Sequence, residues 1–380
     1  MIPVSIPNLT GNEKKYLNEC IDTTFVSSYG ESVNRFEEMV GKATRSTYVV
    51  ATNSGTTGLH VALITLGVGQ GDLVVIPTFS FIASANAIRH CGADPWLMGI
   101  NEDNWCLDPA KVQAELESKC EKTSAGLIHK DSGRRVAAIM PVYTLGNIPD
   151  MDKFRRIADE YRIPLIADAG CAIGSTYKGR PLGGLADLSI FSFNGNKTIT
   201  CGAGGAIIGN SRELLGRVRH LSTSARLWPD YDFDEVGFDY RMTNIQAAVG
   251  CAQMERLDEF VETKRRIRKY YSDALDALKD KGISFYPCTE GSSCWLSGIV
   301  LPEGSKHSDV KELCVKMKEK GVEVKPFWKP VHLQKPYIAS LVSDVNVSEN
   351  LWQRLVNLPC STGISDEELE MVAGAVLSAI

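Results

Sequence analysis

Lys197 stands five residues after Ser192 in the stretch Ser189-Ile-Phe-Ser-Phe-Asn-Gly-Asn-Lys197-Thr-Ile-Thr-Cys-Gly-Ala-Gly-Gly205, and Asp168 closes an apolar run 29 residues earlier. A lysine amine can condense with an aldehyde, and a carboxylate at a strand end can keep a proton on a ring nitrogen. Pyridoxal 5'-phosphate needs both, because its aldehyde takes a lysine and its protonated ring accepts carbanion electrons. Most lysines are solvated surface groups, and Asp168 taken alone is equally a turn or cap residue. The order of the two along the chain, with their neighbours, favours the cofactor.

A phosphate needs a seat, and Tyr48-Val-Val-Ala-Thr-Asn-Ser-Gly-Thr-Thr-Gly-Leu59 offers one, a strand leading through Ser54, Gly55, Thr56 and Thr57 into a helix. Gly55 permits close backbone approach, and a helix N-terminus adds free amides and partial positive charge. The same residues also serve as an ordinary helix N-cap. Ser192 sits where its hydroxyl could support that phosphate. Phe81, on the turn Pro77-Thr-Phe-Ser-Phe-Ile82, could lay its ring on a flat cofactor, although a single Phe is more often core. Gly202, Gly204 and Gly205 let the chain double back into Ala206-Ile-Ile208 beside a ligand.

Elements able to hold these residues follow from the periodicity. Tyr48–Ala51, Leu73–Ile76, Pro95–Met98, Val136–Val142, Pro164–Ala167, Leu188–Ser192 and Ala206–Ile208 read as short strands. Helix-length amphipathic segments lie between them, among them Gly58–Leu66, Ala83–His90, Pro109–Lys119 and Met151–Tyr161. The alternation predicts an α/β fold, a mostly parallel central sheet with helices on both faces, with ligands beyond the carboxyl ends of its strands. Asn244 to Lys279 reads as one long helical region, and its basic run Lys264-Arg-Arg-Ile-Arg-Lys269 as a solvated face. Further strands (Cys294–Val300, Val322–Lys325) and a helix near Ser308–Lys320 predict a smaller C-terminal α+β domain, so the chain divides into residues 1–250 and 251–380.

With 380 residues, 44% hydrophobic and 23% charged, the composition is that of an ordinary globular protein. A net charge of −5 gives no basic face for nucleic acid. The apolar stretch Leu59 to Ala85 is interrupted by Gly67, Gly69, Gly71, Asp72 and Pro77, which argues against a membrane span, and Met1 to Glu13 carries no secretory signal. A cytoplasmic location follows as an expectation. Eleven cysteines at irregular spacings match neither a zinc site nor a disulfide scaffold, so no metal is expected and most should be buried thiols.

The order Ser54-Gly-Thr56, Pro77-Thr-Phe-Ser-Phe81, Asp168, Tyr177-Lys-Gly-Arg180, Phe191-Ser-Phe193, Lys197 and Gly204-Gly205 resembles the DegT/DnrJ/EryC1/StrS family of sugar aminotransferases, nearly from end to end. Pro7-Asn-Leu-Thr-Gly11, Phe25-Val-Ser-Ser28 and Lys325-Pro-Phe-Trp-Lys-Pro-Val-His332 are most similar to the subgroup that aminates C4 of UDP-linked 4-keto-6-deoxy-N-acetylhexosamines. GDP- and dTDP-linked 4-keto-6-deoxyhexoses remain open as substrates. The resemblance implies a fold-type I homodimer with shared active sites, L-glutamate as amino donor and a role in polysaccharide biosynthesis. Carried over by position, Lys197 is the Schiff-base lysine, Asp168 the partner of the pyridine nitrogen, Phe81 the stacking ring, and Ser192, Gly55 and Thr56 the phosphate binders. Gly237-Phe-Asp-Tyr-Arg-Met-Thr-Asn244 would enter the partner's site, with Arg241 meeting an acidic group, while His332 borders the sugar.

Three positions depart from the family pattern. Cys171 replaces a usual His or Gln, Ala203 replaces a Glu, and Asp239 stands where an Asn commonly reaches the partner's cofactor phosphate. An ionised Asp239 there would repel the phosphate, so it turns away, is protonated, or weakens binding. Two rivals are weighed. A dehydratase of the same fold would replace the lysine, so Lys197 argues against it; a non-catalytic regulator that keeps the cofactor would tolerate the three departures.

Overall fold

The computed structural model describes residues 1–380, and its short branched-residue runs become strands β1 (Tyr48–Thr52), β2 (Leu73–Pro77), β3 (Asp94–Met98), β4 (Val136–Ile139), β5 (Ile166–Asp168), β6 (Leu188–Ser192) and β7 (Gly205–Gly209). Every residue of β2, β4 and β7 is buried, as expected of strands covered on both faces. β2 pairs in parallel with β3 and β4, and β5 with β6. Parallel bridges Ile139↔Leu165 and Val142↔Asp168 join β4 to β5 and make the sheet continuous. β7 alone runs antiparallel, between β6 and β1.

Alternation along the strands sends neighbouring residues into two cores. Val49, Ala51, Leu73 and Val75 face one, with Phe36, Phe154 and Ala247 from the helices on that side. Val50, Val74 and Ile76 face the other, which takes in Leu59, Ala85 and Leu215. Helices α1 (Glu13–Asp22), α2 (Glu31–Thr44), α3 (Gly55–Thr65) and α4 (Ile82–His90) precede a further series along the chain. α3 is buried almost all round, so its sequence shows no polar stripe.

The predicted 244–279 helix is two helices, Asn244–Met254 and Leu257–Ala274, followed by a 3-10 turn at Asp276–Lys281. The break falls where Glu255 is drawn to Tyr16, Asn12 and Arg35, a set of tertiary contacts that periodicity does not show. A second, wholly antiparallel sheet is formed by β8 (Ser284–Phe285), β9 (Ser297–Val300), β10 (Lys325–Pro326) and β12 (Leu355–Leu358). Between the last two, β11 (Leu341–Ser343) returns to the edge of the central sheet and pairs in parallel with β3. Of the cysteines, Cys288 and Cys294 form a disulfide and nine are free, seven of those buried. No helix is long and apolar enough to cross a membrane.

Candidate active site

The carboxyl ends of β1, β2, β5 and β6 open on one side of the sheet, around a cavity of about 350 Å³. Gly55, Thr56, Phe81, Asp168, Cys171, Ser192 and Lys197 all line it, so residues spread over more than 140 positions of sequence meet there. Asp168 and Lys197 are the only charged residues in its wall.

Asp168 ends β5, and both its oxygens are held. Ser84 Oγ donates to Oδ2 at 2.6 Å and the Gly170 amide donates to Oδ1 at 3.0 Å. Ser84 is itself 2.9 Å from Ser80, one turn earlier at the start of α4. Lys197 Nζ donates to Cys171 Sγ at 3.2 Å and lies 4.0 Å from the centroid of the Trp295 ring. Burial pushes the Cys171 thiol above its ordinary pKa, with the Lys197 charge pulling the other way.

At the other end, Ser54 caps α3 by accepting from the Thr57 amide at 3.1 Å, while the Thr57 hydroxyl donates to Asn53 Oδ1 at 2.6 Å. The capping and phosphate-seat readings therefore share the turn: Ser54 and Thr57 build it, and Gly55 and Thr56 begin the helix beside Ser192. A Cβ on Gly55 would lie 2.8 Å from Ser192 Cβ, so only glycine lets the helix start close on the end of β6.

Three expected residues are not brought to this cavity. Arg241 is buried, donating to the Ala51 carbonyl at 3.0 Å and pairing with Glu37 at 2.8 Å. Within this chain that guanidinium braces β1; its burial lowers its pKa despite Glu37. His332 is held on both ring nitrogens, 2.6 Å from Thr78 Oγ1 and 2.9 Å from Glu349 Oε1, so it ties down the β2–α4 turn. Asp239 is exposed, and its carbonyl accepts from Asn53 Nδ2 at 3.3 Å.

Sequence reasoning missed Ser84, Trp295 and Trp328. The Ser80/Ser84 spacing of four at a helix start was a usable signal; the tryptophans arrive from the second sheet's connections, and no local pattern announces them.

A lysine and a carboxylate as the only charges of a cavity at the carboxyl ends of a parallel sheet, opposite a glycine-opened helix start, define a pyridoxal phosphate-dependent enzyme of fold type I. Residues 7–377 match the DegT/DnrJ/EryC1/StrS aminotransferase family, and the chain belongs to it. It is 35% identical over 382 residues to the GDP-perosamine synthase of Caulobacter vibrioides, covering 99% of this chain and 97% of that protein. It is 28% identical to the UDP-4-amino-4,6-dideoxy-N-acetyl-beta-L-altrosamine transaminase of Campylobacter jejuni, over 100% of this chain and 97% of that one. The crystal structure of ntda from Bacillus subtilis, with bound cofactor PMP, superimposes with a TM-score of 0.83 at 26% identity, covering 97% and 81% of the two chains.

Proposed function

We propose that this aminotransferase moves an amino group from L-glutamate to the C4 keto carbon of a GDP-linked 4-keto-6-deoxyhexose. The enzyme class rests on the cavity's isolated Lys197/Asp168 pair. The nucleotide is supported by relatives named GDP-perosamine synthase at 35%, 32% and 34% identity, each over 99% of the chain. The UDP-linked acetamido sugar expected from the sequence segments stays as a second reading, favoured by the Campylobacter relative at 28%.

When bound, the cofactor supplies the aldehyde that carries the amino group and a ring that takes up the electron pair left at the donor's Cα. Lys197 would anchor it and would be the base that moves the proton between that Cα and the cofactor's C4′. Asp168 holds the proton on the ring nitrogen, with Ser84 and the Gly170 amide keeping both carboxylate oxygens in place. The first turn of α3 and Ser192 would hold the phosphate, and Phe81 would offer its ring face to the pyridine ring. The sugar half-reaction runs through the same groups in reverse order.

A homodimer with shared sites belongs to this proposal. Its support is an apolar surface around the hairpin Arg226–Leu227/Asp232–Phe233, where Trp228, Tyr231 and Val236 are 73%, 80% and 86% exposed. Asp239 lies directly beyond that surface in sequence and would face the partner.

To test the function, the protein loaded with pyridoxal phosphate is treated with L-glutamate, then offered GDP-, UDP- and dTDP-linked 4-keto-6-deoxy sugars. Glutamate is expected to bleach the visible band, and the GDP-sugar to restore it fastest with an aminated product by mass. Preference for the UDP-sugar would replace the first reading with the second; restoration by none would refute both.

A further inference from the structure

Lys197 is faced by a side chain from outside the central sheet. Trp295, two residues before β9, is 3% exposed and holds its ring face 4.0 Å from Lys197 Nζ. The Trp295 Nε1 also donates to the Asn196 carbonyl at 2.7 Å. One side chain thus contacts both the reactive amine and the peptide unit directly before it. The segment that delivers it is itself pinned. The Trp295 amide donates to the Leu145 carbonyl at 3.0 Å, and the preceding loop is closed by the Cys288–Cys294 disulfide. Ser293 donates through its amide to Ser175 Oγ at 2.9 Å and through its hydroxyl to the Cys171 carbonyl at 3.3 Å. Cys171 is the other group touching the Lys197 amine.

A lysine amine on a flexible four-carbon stem has no fixed place unless something holds it. An aromatic face within about 6 Å attracts the charged form of that amine. We propose that Trp295 is a positioning residue for Lys197: its ring face sets where the amine rests, and its Nε1 fixes the Lys197 loop at Asn196. The inference rests on Lys197 being the cofactor-anchoring lysine. The plainer role, packing, is also open to Trp295, whose ring lies 5.9 Å from that of Trp328. Packing alone needs no particular face toward an amine. Cys171 touches the same amine from the sheet side, and the test leaves it in place.

The test reads Lys197 itself, in the full-length chain freed of cofactor. Acetylation of Lys197 is followed by peptide mass spectrometry against Lys269, whose side chain is 77% exposed and serves as an internal reference. Trp295→Leu is expected to speed Lys197 acetylation about threefold to tenfold, because loss of the ring face frees the amine from its resting place. Trp295→Phe, which keeps a ring face, is expected to stay within about twofold of the parent chain. Unchanged labelling in Trp295→Leu, or Phe labelling as fast as Leu, would overturn the proposal. Should the Leu variant lose its cooperative melt, Trp295→Met, whose unbranched chain adapts to an irregular gap, removes the ring face and is judged by the same criteria. Because labelling needs no bound cofactor, its failure leaves the assignment of Lys197 untouched, and a failure of that assignment shows separately as cofactor attached elsewhere.

Discussion

A carboxylate that serves a ring nitrogen works only while it is aimed, and the aim of Asp168 depends on Ser84 Oγ at 2.6 Å. Ser84→Ala should leave the fold intact and loosen cofactor retention by about tenfold, since a hydrogen bond to a charged group is worth about 1.5–3 kcal/mol. Equilibrium titration of the visible band against cofactor concentration would measure it, and an unchanged midpoint would show that the Gly170 amide alone suffices. At this scale the sequence was informative for residues whose chemistry is unusual in its setting. A lysine in a glycine-rich loop, an aspartate at a strand end and a serine one turn earlier are identifiable from type and order. The ion pair of Arg241 with Glu37 was not foreseen, because the two lie 204 positions apart and spacing along the chain cannot show a buried pair of that kind. Ser84 and Trp295 were passed over for a related reason: what makes them matter is a neighbour on a different strand.

Elements place these residues, and α3 does the most. Its start lines the cavity beside Ser192, while its middle carries His60, 6% exposed, with Nδ1 at 3.1 Å from Tyr240 Oη and Nε2 without a partner. Burial, followed by the nearby His90, lowers the His60 pKa below the usual 6.5. Below that pH the unfolded chain binds a proton that the folded chain refuses, so stability is lost as pH falls and is full above it. His60→Leu should therefore melt with a smaller loss between about pH 7 and 5 than the parent chain. Parallel curves would contradict this, leaving His129 and His307, also lowered by burial, to account for the acid sensitivity. Seven strands of the central sheet were legible because each is a short branched run bounded by turn residues. β11 was not: three residues paired to β3 by a distant return of the chain carry no period. The two-residue β8 carries no period either, and β10 takes up only Lys325 of the strand expected at Val322–Lys325.

The whole molecule exposes more apolar surface than its single chain explains. Trp228, Tyr231, Phe233 and Val236 crowd one hairpin and its exit, next to the segment that ends in Asp239. A second copy seated there would cover the patch and bring Asp239 toward a site it does not reach within its own chain. Light scattering should give twice the chain mass, and Tyr231→Glu with Val236→Glu should shift it toward a single chain and weaken cofactor retention. A monomeric parent chain would refute the shared site. The central claim, that Lys197 anchors pyridoxal phosphate in an aminotransferase, is tested most directly by borohydride reduction of the loaded protein and mass mapping of its peptides. The account predicts cofactor mass on the peptide holding Lys197, and none on any peptide of Lys197→Ala. Cofactor fixed to another lysine, or retained covalently by Lys197→Ala, would contradict it.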